Sequence, residues 1–357
     1  MSRLKLGVIF GGASSEYEVS LMSASSVLHN INADKYDIVM LGITKDGRWL
    51  RYRGPVERIR SDEWDVPEFV TPAYVLPDRA AHGVLETKPG GGTEITPLDV
   101  VFPVVHGKNC EDGTLQGLFT IAGIPFVGCD TLSCAVCMDK AMARTATDGA
   151  GILSTPWDWF TADALADFEE LERRLREKLG YPMFIKPANA GSSVGVSRAV
   201  DDAGLRTAIE LALLHDKKIV AEQAVTGQEV ECAVLGNDHP IASIVGEIAP
   251  KAEFYDYNAK YFDGTTDLYI PARLSAETAQ LVREAAVKTF RTLGCSGLAR
   301  VDFFAKADGT VILNEINTIP GFTHISMYPK LCEASGIPYP ELIDRLVTLA
   351  LEREFLI

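Results

Sequence analysis

The stretch that decides the fold is Arg300-Val301-Asp302-Phe303-Phe304, followed after a short break by Val311-Ile312-Leu313-Asn314-Glu315-Ile316-Asn317-Thr318-Ile319-Pro320-Gly321. Both segments are largely apolar, and Asp308-Gly309 between them is a turn signal, so the stretch predicts a β-hairpin. Side chains two residues apart share a face of a strand, so two carboxylates and a carboxamide would converge beside Arg300. Hard oxygen ligands of this kind suit Mg²⁺, which makes Asp302, Glu315 and Asn317 candidate metal ligands. The alternative is a solvated polar face.

Length and composition limit the possible folds and partners. The chain has 357 residues, which fits two or three domains. Its net charge of −15 argues against a nucleic-acid partner. No apolar run reaches the length of a membrane span, and Met1 to Lys5 lead straight into a strand without a signal peptide. The seven cysteines, an odd number in apolar segments, predict reduced thiols and a cytoplasmic protein.

Three of the cysteines have a spacing that allows a second interpretation. Cys129, Cys134 and Cys137 follow the C-x4-C-x2-C pattern of one class of iron–sulfur site. Half of their segment, however, has the character of an apolar helix, in which small buried cysteines are common. We therefore interpret the three cysteines as packed side chains rather than as ligands of an iron–sulfur cluster.

The order of predicted elements indicates an N-terminal α/β layer followed by two further units. Strand Lys5 to Phe10 leads through a Gly-rich turn into helical spacing over Val19 to Ile31, and further strands are expected at Asp37 to Ile43 and Leu98 to Val105. The Pro- and Gly-rich stretch Arg51 to Pro97 is expected to form loops and edge strands. Beyond it we expect helices at 134–151, 162–179, 203–215, 276–293 and 339–352, and strands at 183–186, 196–199, 218–223, 229–234 and 241–248.

Two segments of the central region have nucleotide-binding character. The loop from Lys186 to Gly195 is rich in Gly and Ser, whose backbone N–H groups can line an anion, and Lys186 adds a positive charge. A plain hairpin turn is the alternative. In Glu222-Gln223-Ala224-Val225, extended backbone could meet an adenine edge, and Glu222 or Glu229 could accept from a ribose hydroxyl. The alternative is that each glutamate is an ordinary surface residue.

Three further features carry candidate functional residues. Ala252 to Tyr269 is polar, aromatic and irregular, as lids often are, and Lys260 could meet a γ-phosphate while Tyr261 serves a proton network. Glu16 opens a helix after the first strand, where it is suited to hold an ammonium group. His106 ends a strand at a predicted switch point of the sheet, where ligands bind, although a structural histidine is the commoner case.

Taken together, these segments resemble the D-alanine–D-alanine ligases of the ATP-grasp fold, a family that includes D-alanine–D-serine and D-alanine–D-lactate ligases. The resemblance runs nearly end to end and rests on GGASSEYEVS, VFPVVHGKNCEDGTLQG, VGCDTLSCAVCMDK, FIKPANAGSSVG, FYDYNAKY, LARVDFF and LNEINTIPGFT. It implies an α/β and α+β fold of three domains: a Rossmann-like N-terminal α/β domain (1–129), a central domain (130–226) and a C-terminal domain (227–357) with a lid loop at 250–270. It also implies a homodimer.

The resemblance implies a role for each matching residue. The ATP site would comprise Lys140, Lys186, Glu222, Gln223, Val225, Glu229, Phe254 and Lys260, with the first two on the phosphates. Two Mg²⁺ (or Mn²⁺) would be held by Asp302, Glu315 and Asn317. The catalytic residues would be Glu16, Ser192, Tyr261, Arg300 and Gly321. Glu16 would bind the ammonium group of the first D-amino acid, and Arg300 and the Gly321 amide would stabilise the oxyanion. Substrate contacts would come from Glu16, His106, Arg300, Gly321, Ser326 and Met327.

The implied reaction joins two D-alanines for peptidoglycan precursor synthesis. ATP phosphorylates the first carboxylate, the second amine attacks the acyl phosphate, and phosphate leaves. Met327 after Ser326 favours D-alanine as the second substrate, because the resistance-type ligases tend to have Arg there. The alternative is a D-alanine–D-serine ligase, which the N-terminal two thirds also resemble. Less favoured are an ATP-grasp ligase for another acid and a non-catalytic nucleotide-binding regulator.

Overall fold

The structure is a computed structural model that describes residues 3–88, 90–250 and 266–353. Within these ranges the strands form three separate sheets of seven, four and five strands. The predicted lid residues Phe254, Lys260 and Tyr261 lie outside the described residues. No helix in the described part of the chain combines the length and apolar character needed to cross a bilayer.

The first sheet has the order β6-β5-β4-β3-β2-β1-β7, in which β1 pairs in parallel with β2 and β7 and the other pairs are antiparallel. The stretch predicted as loops and edge strands thus builds the antiparallel half of this sheet. The strands are β1 Leu4–Gly11, β2 Tyr36–Ile43, β3 Trp49–Tyr52, β4 Val70–Val75, β5 Gly83–Thr87, β6 Thr93–Pro97 and β7 Val100–Pro103; the helices are α1 Tyr17–Asn30, α2 Val56–Arg60 and α3 Thr114–Ala122.

The second sheet has the order β10-β9-β11-β8 and is antiparallel. Its strands are β8 Trp157–Thr161, β9 Met183–Pro187, β10 Ser197–Ala199 and β11 Lys218–Gln223, and the helices of this region are α4 Thr131–Met138, α5 Lys140–Gly149, α6 Phe168–Leu179 and α7 Asp202–Leu213.

Two helices predicted in this region are interrupted, and the cause in each case is a capping aspartate. The helix expected at 134–151 is divided because Asp139 is extended and its side chain accepts from Ala141 N and Met142 N, which starts α5. The helix expected at 162–179 begins as a 3-10 turn, and α6 starts only after Asp167, whose side chain accepts from Glu170 N. Lys140 therefore occupies the first position of α5.

The third sheet has the order β14-β13-β12-β15-β16 and is antiparallel. Its strands are β12 Gln228–Gly236, β13 Ile241–Pro250, β14 Thr266–Tyr269, β15 Gly297–Ala305 and β16 Val311–Asn317; the helices of this region are α8 Ala276–Thr292, α9 Met327–Ala334 and α10 Tyr339–Glu352.

The cores of these regions place the hairpin β15–β16 between helices. Phe290 of α8 packs with Val301 and Phe303 on one face of the third sheet. Leu346 of α10 shares a cluster with Leu6 of β1, so the last helix joins the first and third sheets. All seven cysteines are unpaired and buried, which confirms the prediction of free thiols.

Candidate active site

The hairpin predicted from the sequence is present, and its polar residues share one face. Asp302 lies directly opposite Glu315, and Arg300 lies opposite Asn317. Arg300 donates from Nε and Nη2 to the two carboxylate oxygens of Asp302 at 2.8 and 2.7 Å, and Asn317 Nδ2 donates to Asp302 Oδ2 at 3.0 Å. The predicted convergence of two carboxylates and a carboxamide beside a guanidinium is therefore confirmed.

A β-bulge lies next to the expected metal ligand Glu315. Asp302 pairs with Glu315 but Phe303 pairs with Leu313, so Asn314 is an extra residue in β16. A bulge of this kind bends its strand and redirects the neighbouring side chains. Here both Asn314 and Glu315 line the cavity described next.

One cavity of about 210 Å³ lies between the second and third sheets. It is lined by all the predicted ATP-site residues that the structure describes: Lys140, Lys186, Glu222, Gln223, Val225 and Glu229. The loop after β9 contributes Ala190 to Ser193, and the metal hairpin contributes Glu315. The phosphate loop, the adenosine segment and the hairpin, far apart in the sequence, thus meet at one cavity.

The two lysines predicted to bind the phosphates contact other residues of the protein through their ammonium groups. Lys186 Nζ lies 2.7 Å from Glu222 Oε2, and Lys140 Nζ donates to Ala190 O at 2.6 Å. Burial lowers the pKa of Lys140, and the nearby Glu315 carboxylate opposes that shift. Burial by itself raises the pKa of Glu222, but Arg144 and then Lys186 outweigh it, so the pKa is lower than usual and the carboxylate stays ionised.

The backbone of the predicted adenosine segment is partly occupied. Gln223 N donates to Pro156 O at 2.9 Å and Ala224 N donates to Pro182 O at 3.1 Å. The Gln223 side chain turns away to donate to Leu179 O at 2.8 Å. Because the amides of Gln223 and Ala224 already donate within the protein, we expect the Val225 amide to be the backbone donor to adenine.

Glu16 and Ser192 lie in contact at one end of the site, although 176 positions separate them in the sequence. Ser192 Oγ donates to Glu16 Oε1, and Ser192 has a left-handed backbone with φ of 49°. Glu16 is 6 % exposed, and its second oxygen, Oε2, has no hydrogen-bond partner among the described residues. A buried carboxylate oxygen without a donor is costly, so the site is suited to a cationic ligand.

Two glycines make room for this carboxylate. A Cβ on Gly191 would lie 2.7 Å from Glu16 Oε2, and one on Gly107 would lie 2.6 Å from the same atom. Gly107 also has a φ of +77°, which disfavours other residues there.

His106 is buried, and both of its ring nitrogens contact the protein. Nδ1 lies 3.0 Å from Ile319 O and Nε2 lies 3.1 Å from Ser23 Oγ, which itself accepts from Phe322 N at 3.2 Å. A neutral ring with the proton on Nδ1 satisfies all three contacts. His106 and Ser23 therefore bracket the segment that carries Gly321, and the substrate contact of His106 stays a prediction.

The remaining predicted substrate residues follow Gly321. Ser326 Oγ accepts from Thr323 N at 3.0 Å, and a Cβ on Gly321 would lie 2.8 Å from that oxygen. Met327 is only 5 % exposed and its Cε packs over Gly246 in the core. Met327 therefore shapes the position of α9 from within the core.

Three residues at the site were missed in the sequence. Arg144 is buried beside Glu222, Glu231 lies 3.1 Å from Arg300 Nε, and Glu111 lines a recess with Lys140 and Glu315. Loss of hydration raises the pKa of Glu111 well above its usual value, and the Glu16 carboxylate raises it further. Glu231 was detectable, since it shares the alternating face of Glu229 on a strand. Arg144 left no such signal.

The hairpin fits a divalent cation through the chemistry of its donors. Within residues 3–88, 90–250 and 266–353, no group of three or more His, Cys, Asp or Glu side chains is arranged to hold a metal. The predicted set has two carboxylates and one carboxamide and so would depend on further oxygen ligands. Mg²⁺ commonly takes such ligands from water and phosphates, so the set fits this ion when a nucleotide is bound.

Comparison with known proteins decides the family. The chain matches the model described as D-ala D-ala ligase N-terminus over residues 5–129 and that described as D-ala D-ala ligase C-terminus over residues 147–348. The chain belongs to the D-ala D-ala ligase family. The resemblance, the mixed α/β fold of the ATP-grasp type and the assignment as a ligase, all predicted from the sequence, are confirmed.

Relatives in the D-ala D-ala ligase family align over almost their whole length. A D-alanine–D-alanine ligase of Acetivibrio thermocellus is 51 % identical, with 97 % of this chain and 95 % of the relative covered. D-alanine–D-alanine ligase A of Salmonella typhimurium is 44 % identical, with 99 % and 97 % covered. The solved structure of VanG D-Ala:D-Ser ligase from Enterococcus faecalis has a TM-score of 0.90 and 44 % identity, covering 98 % of this chain and 100 % of that one. The D-alanine–D-alanine ligase of Coxiella burnetii has a TM-score of 0.84 and 33 % identity, with 99 % and 95 % covered.

Proposed function

We propose that this protein joins two D-alanines into D-alanyl-D-alanine, at the expense of ATP, for peptidoglycan precursor synthesis. The observation that carries the proposal is the buried Glu16 oxygen, which has no donor among the residues that the structure describes and lies beside Ser192 at the edge of the nucleotide cavity. An amino acid presents a cationic ammonium close to its carboxylate. If Glu16 binds the ammonium group of such an amino acid, the carboxylate of the amino acid would face the phosphates of ATP.

The nucleotide would be held by the residues that line the cavity. Lys140 and Lys186 would offer positive charge to the phosphates, and Glu222 and Glu229, which line the same cavity, would accept from the ribose hydroxyls. Asp302, Glu315 and Asn317 would hold two Mg²⁺, which supply neutralising charge for the phosphates during transfer. Phe254 and Lys260 remain predicted ATP contacts outside the described residues.

The chemistry proceeds in two steps. An oxygen of the first D-alanine attacks the γ-phosphorus of ATP, the bond to the β-phosphate oxygen breaks, and an acyl phosphate and ADP result. The amine of the second D-alanine then attacks the acyl carbon, and the C–O bond to phosphate breaks as the amine loses a proton. Arg300 and the Gly321 amide would stabilise the intermediate oxyanion, a role in which one lost donor typically costs about 3–4 kcal/mol. Tyr261 stays a predicted member of the proton network with Glu16 and Ser192.

D-serine is the alternative second substrate. It is favoured by one observation, the similarity to the VanG D-Ala:D-Ser ligase at a TM-score of 0.90. The 51 % identical relative named as a D-alanine–D-alanine ligase favours D-alanine, as does Met327. Because one hydroxyl in a pocket changes discrimination only modestly, mixed use at unequal rates is compatible with either preference.

The test is product analysis with equimolar D-alanine, D-serine and D-lactate. We expect phosphate release that depends on D-alanine, with D-alanyl-D-alanine as the main product by mass spectrometry. Predominant D-alanyl-D-serine or depsipeptide would overturn the choice of substrate. ATP hydrolysis that does not respond to any D-amino acid would overturn the ligase assignment and favour a nucleotide-binding regulator.

We further propose three domains, at 1–129, 130–226 and 227–357, and a cytoplasmic homodimer. The domain division is supported by the three sheets, whose strands fall in those ranges. The dimer rests on the family resemblance. Light scattering on the purified protein tests it, and a mass equal to that of one chain would contradict it.

A further inference from the structure

Arg144 is a buried cation that the reaction described above does not use. It lies on α5, one helical turn after Lys140, and it is 4 % exposed. Burying a guanidinium is costly unless acceptors surround it, so its partners reveal what its charge stabilises.

The partners of Arg144 come from two different sheets. Nη2 lies 3.0 Å from Glu222 Oε1, at the end of β11 in the second sheet. Nη1 donates to Leu313 O at 3.3 Å and Nη2 donates to Asn314 O at 3.1 Å, both in β16 of the third sheet. One guanidinium thus joins the helix of Lys140, the glutamate beside the nucleotide cavity and the strand of the expected metal ligand.

The contacts in β16 lie at the bulge. Asn314 is the extra residue, so its carbonyl has left the regular ladder, and the next residue is Glu315. A bulge redirects side chains, and holding its carbonyls fixes that direction. Arg144 therefore stabilises the backbone conformation from which the Glu315 side chain enters the cavity.

The contact with Glu222 affects the phosphate lysine. Glu222 is buried and divides its two oxygens, with Oε1 toward Arg144 and Oε2 toward Lys186. Without the charge of Arg144, Glu222 would depend more strongly on Lys186, alongside Lys140, for its compensating charge. Lys186 would then be held more tightly by Glu222 and would be less available to a phosphate.

We propose that Arg144 is a positioning residue for the nucleotide: by holding Glu222 and the Asn314 bulge, it leaves Lys186 and Glu315 directed at the phosphates and their Mg²⁺. The inference rests on the proposed function, since it takes ATP as the ligand of the cavity. It assigns Arg144 no contact with substrate.

The test compares Arg144→Met with Arg144→Lys and with the exposed control Arg60→Met. The readouts are ADP binding by calorimetry with Mg²⁺ and without D-alanine, thermal melting of the ligand-free protein, and the KM values for ATP and D-alanine. We expect Arg144→Met to weaken ADP binding and raise the KM for ATP by about 10-fold to 100-fold, as for residues that orient metal ligands. Arg144→Lys keeps the charge and should recover part of the loss, and Arg60→Met should match the wild type.

A double variant separates positioning from general destabilisation. If Arg144 acts through the charge of Glu222, Glu222→Gln should cost less ADP affinity in the Arg144→Met background than in the wild type. The inference is overturned if folded Arg144→Met binds ADP like the wild type, or if ADP binding and D-alanine KM worsen equally in step with melting temperature. A wild type that binds ADP but makes no dipeptide would overturn the proposed function alone. A wild type that binds no ADP would overturn both.

Discussion

Asp302 and Glu315 lie directly opposite each other on adjacent strands, one beside a guanidinium and the other beside a bulge. Glu315 lines the nucleotide cavity, and Asp302 lies opposite it on the neighbouring strand. Two carboxylates on neighbouring strands repel each other unless cations lie between or beside them, and the Arg300 guanidinium is shared between Asp302 and Glu231. The pair therefore favours the arrival of a divalent cation.

The first prediction concerns Glu315→Gln. The amide keeps the shape of the side chain but loses the negative charge that attracts Mg²⁺, so we expect turnover to fall by roughly 100-fold with the fold retained. D-alanine-dependent phosphate release at several Mg²⁺ concentrations measures this, and circular dichroism checks folding. The exposed Glu333→Gln on α9 is the matched control. A variant with wild-type Mg²⁺ dependence would remove Glu315 from the metal site.

The second prediction concerns Glu16→Gln. Its buried Oε2 would lose the charge that binds an ammonium, and hydrogen bonds to charged groups contribute about 1.5–3 kcal/mol, or roughly 10-fold to 150-fold in affinity. We expect the KM for D-alanine to rise by that factor, with ADP binding unchanged. Steady-state kinetics and calorimetry measure the two. Glu18→Gln, on the exposed side of α1, should leave both unchanged. An unchanged KM for D-alanine in Glu16→Gln would contradict the ammonium site.

The third prediction concerns Gly191→Ala. The new Cβ would lie 2.7 Å from Glu16 Oε2, the end of a flexible side chain, so the clash is relieved when that carboxylate moves. We expect melting to change little, while kcat/KM for D-alanine falls by about 100-fold because a displacement of about 1 Å in a site can cost that much. Gly149→Ala is the control: its Cβ meets nothing within 4 Å and, in a helix, should add up to about 1 kcal/mol of stability. Equal activities in the two variants would show that the clash is absent.

The fourth prediction concerns pH and His106. Burial lowers the pKa of His106 below its usual 6.5, Glu16 opposes the shift, and Arg300 adds to it. Below pH 6.5 the unfolded chain takes up the proton first, so stability contributed by the neutral ring is present above that pH and is lost as pH falls. We expect the melting temperature to fall more in the wild type than in His106→Gln between about pH 7.5 and about pH 5.5. Parallel curves would mean that His106 has the same pKa in the folded and unfolded states, which would contradict the lowered pKa.

The hairpin β15–β16 shows what a local sequence pattern can predict. Alternation of Arg300 with Asp302 and of Glu315 with Asn317 assigned four side chains to one face, because a strand has a fixed period of two. The bulge at Asn314 could not be predicted in this way. It depends on the register between β15 and β16, which no property of β16 alone determines.

Long-range partners explain the other differences. Arg144 looks like any arginine on a helix, because its partners are one carboxylate 78 positions away and two backbone carbonyls. His106 contacts the carbonyl of a residue 213 positions away, and a carbonyl has no signature in the sequence. The start of α6 was a different kind of error: Asp167 followed by Glu170 is a capping pattern that the amphipathic stripe concealed.

The distribution of the site along the chain has a consequence for biosynthesis. Glu16 is translated before Lys140 and Ser192, and Glu315 is translated after all three. A nascent or truncated polypeptide that ends before β16 has both lysines but lacks the acidic strand that balances them. Premature stops before β16 would therefore yield products that are inert as ligases, however well their first sheet folds.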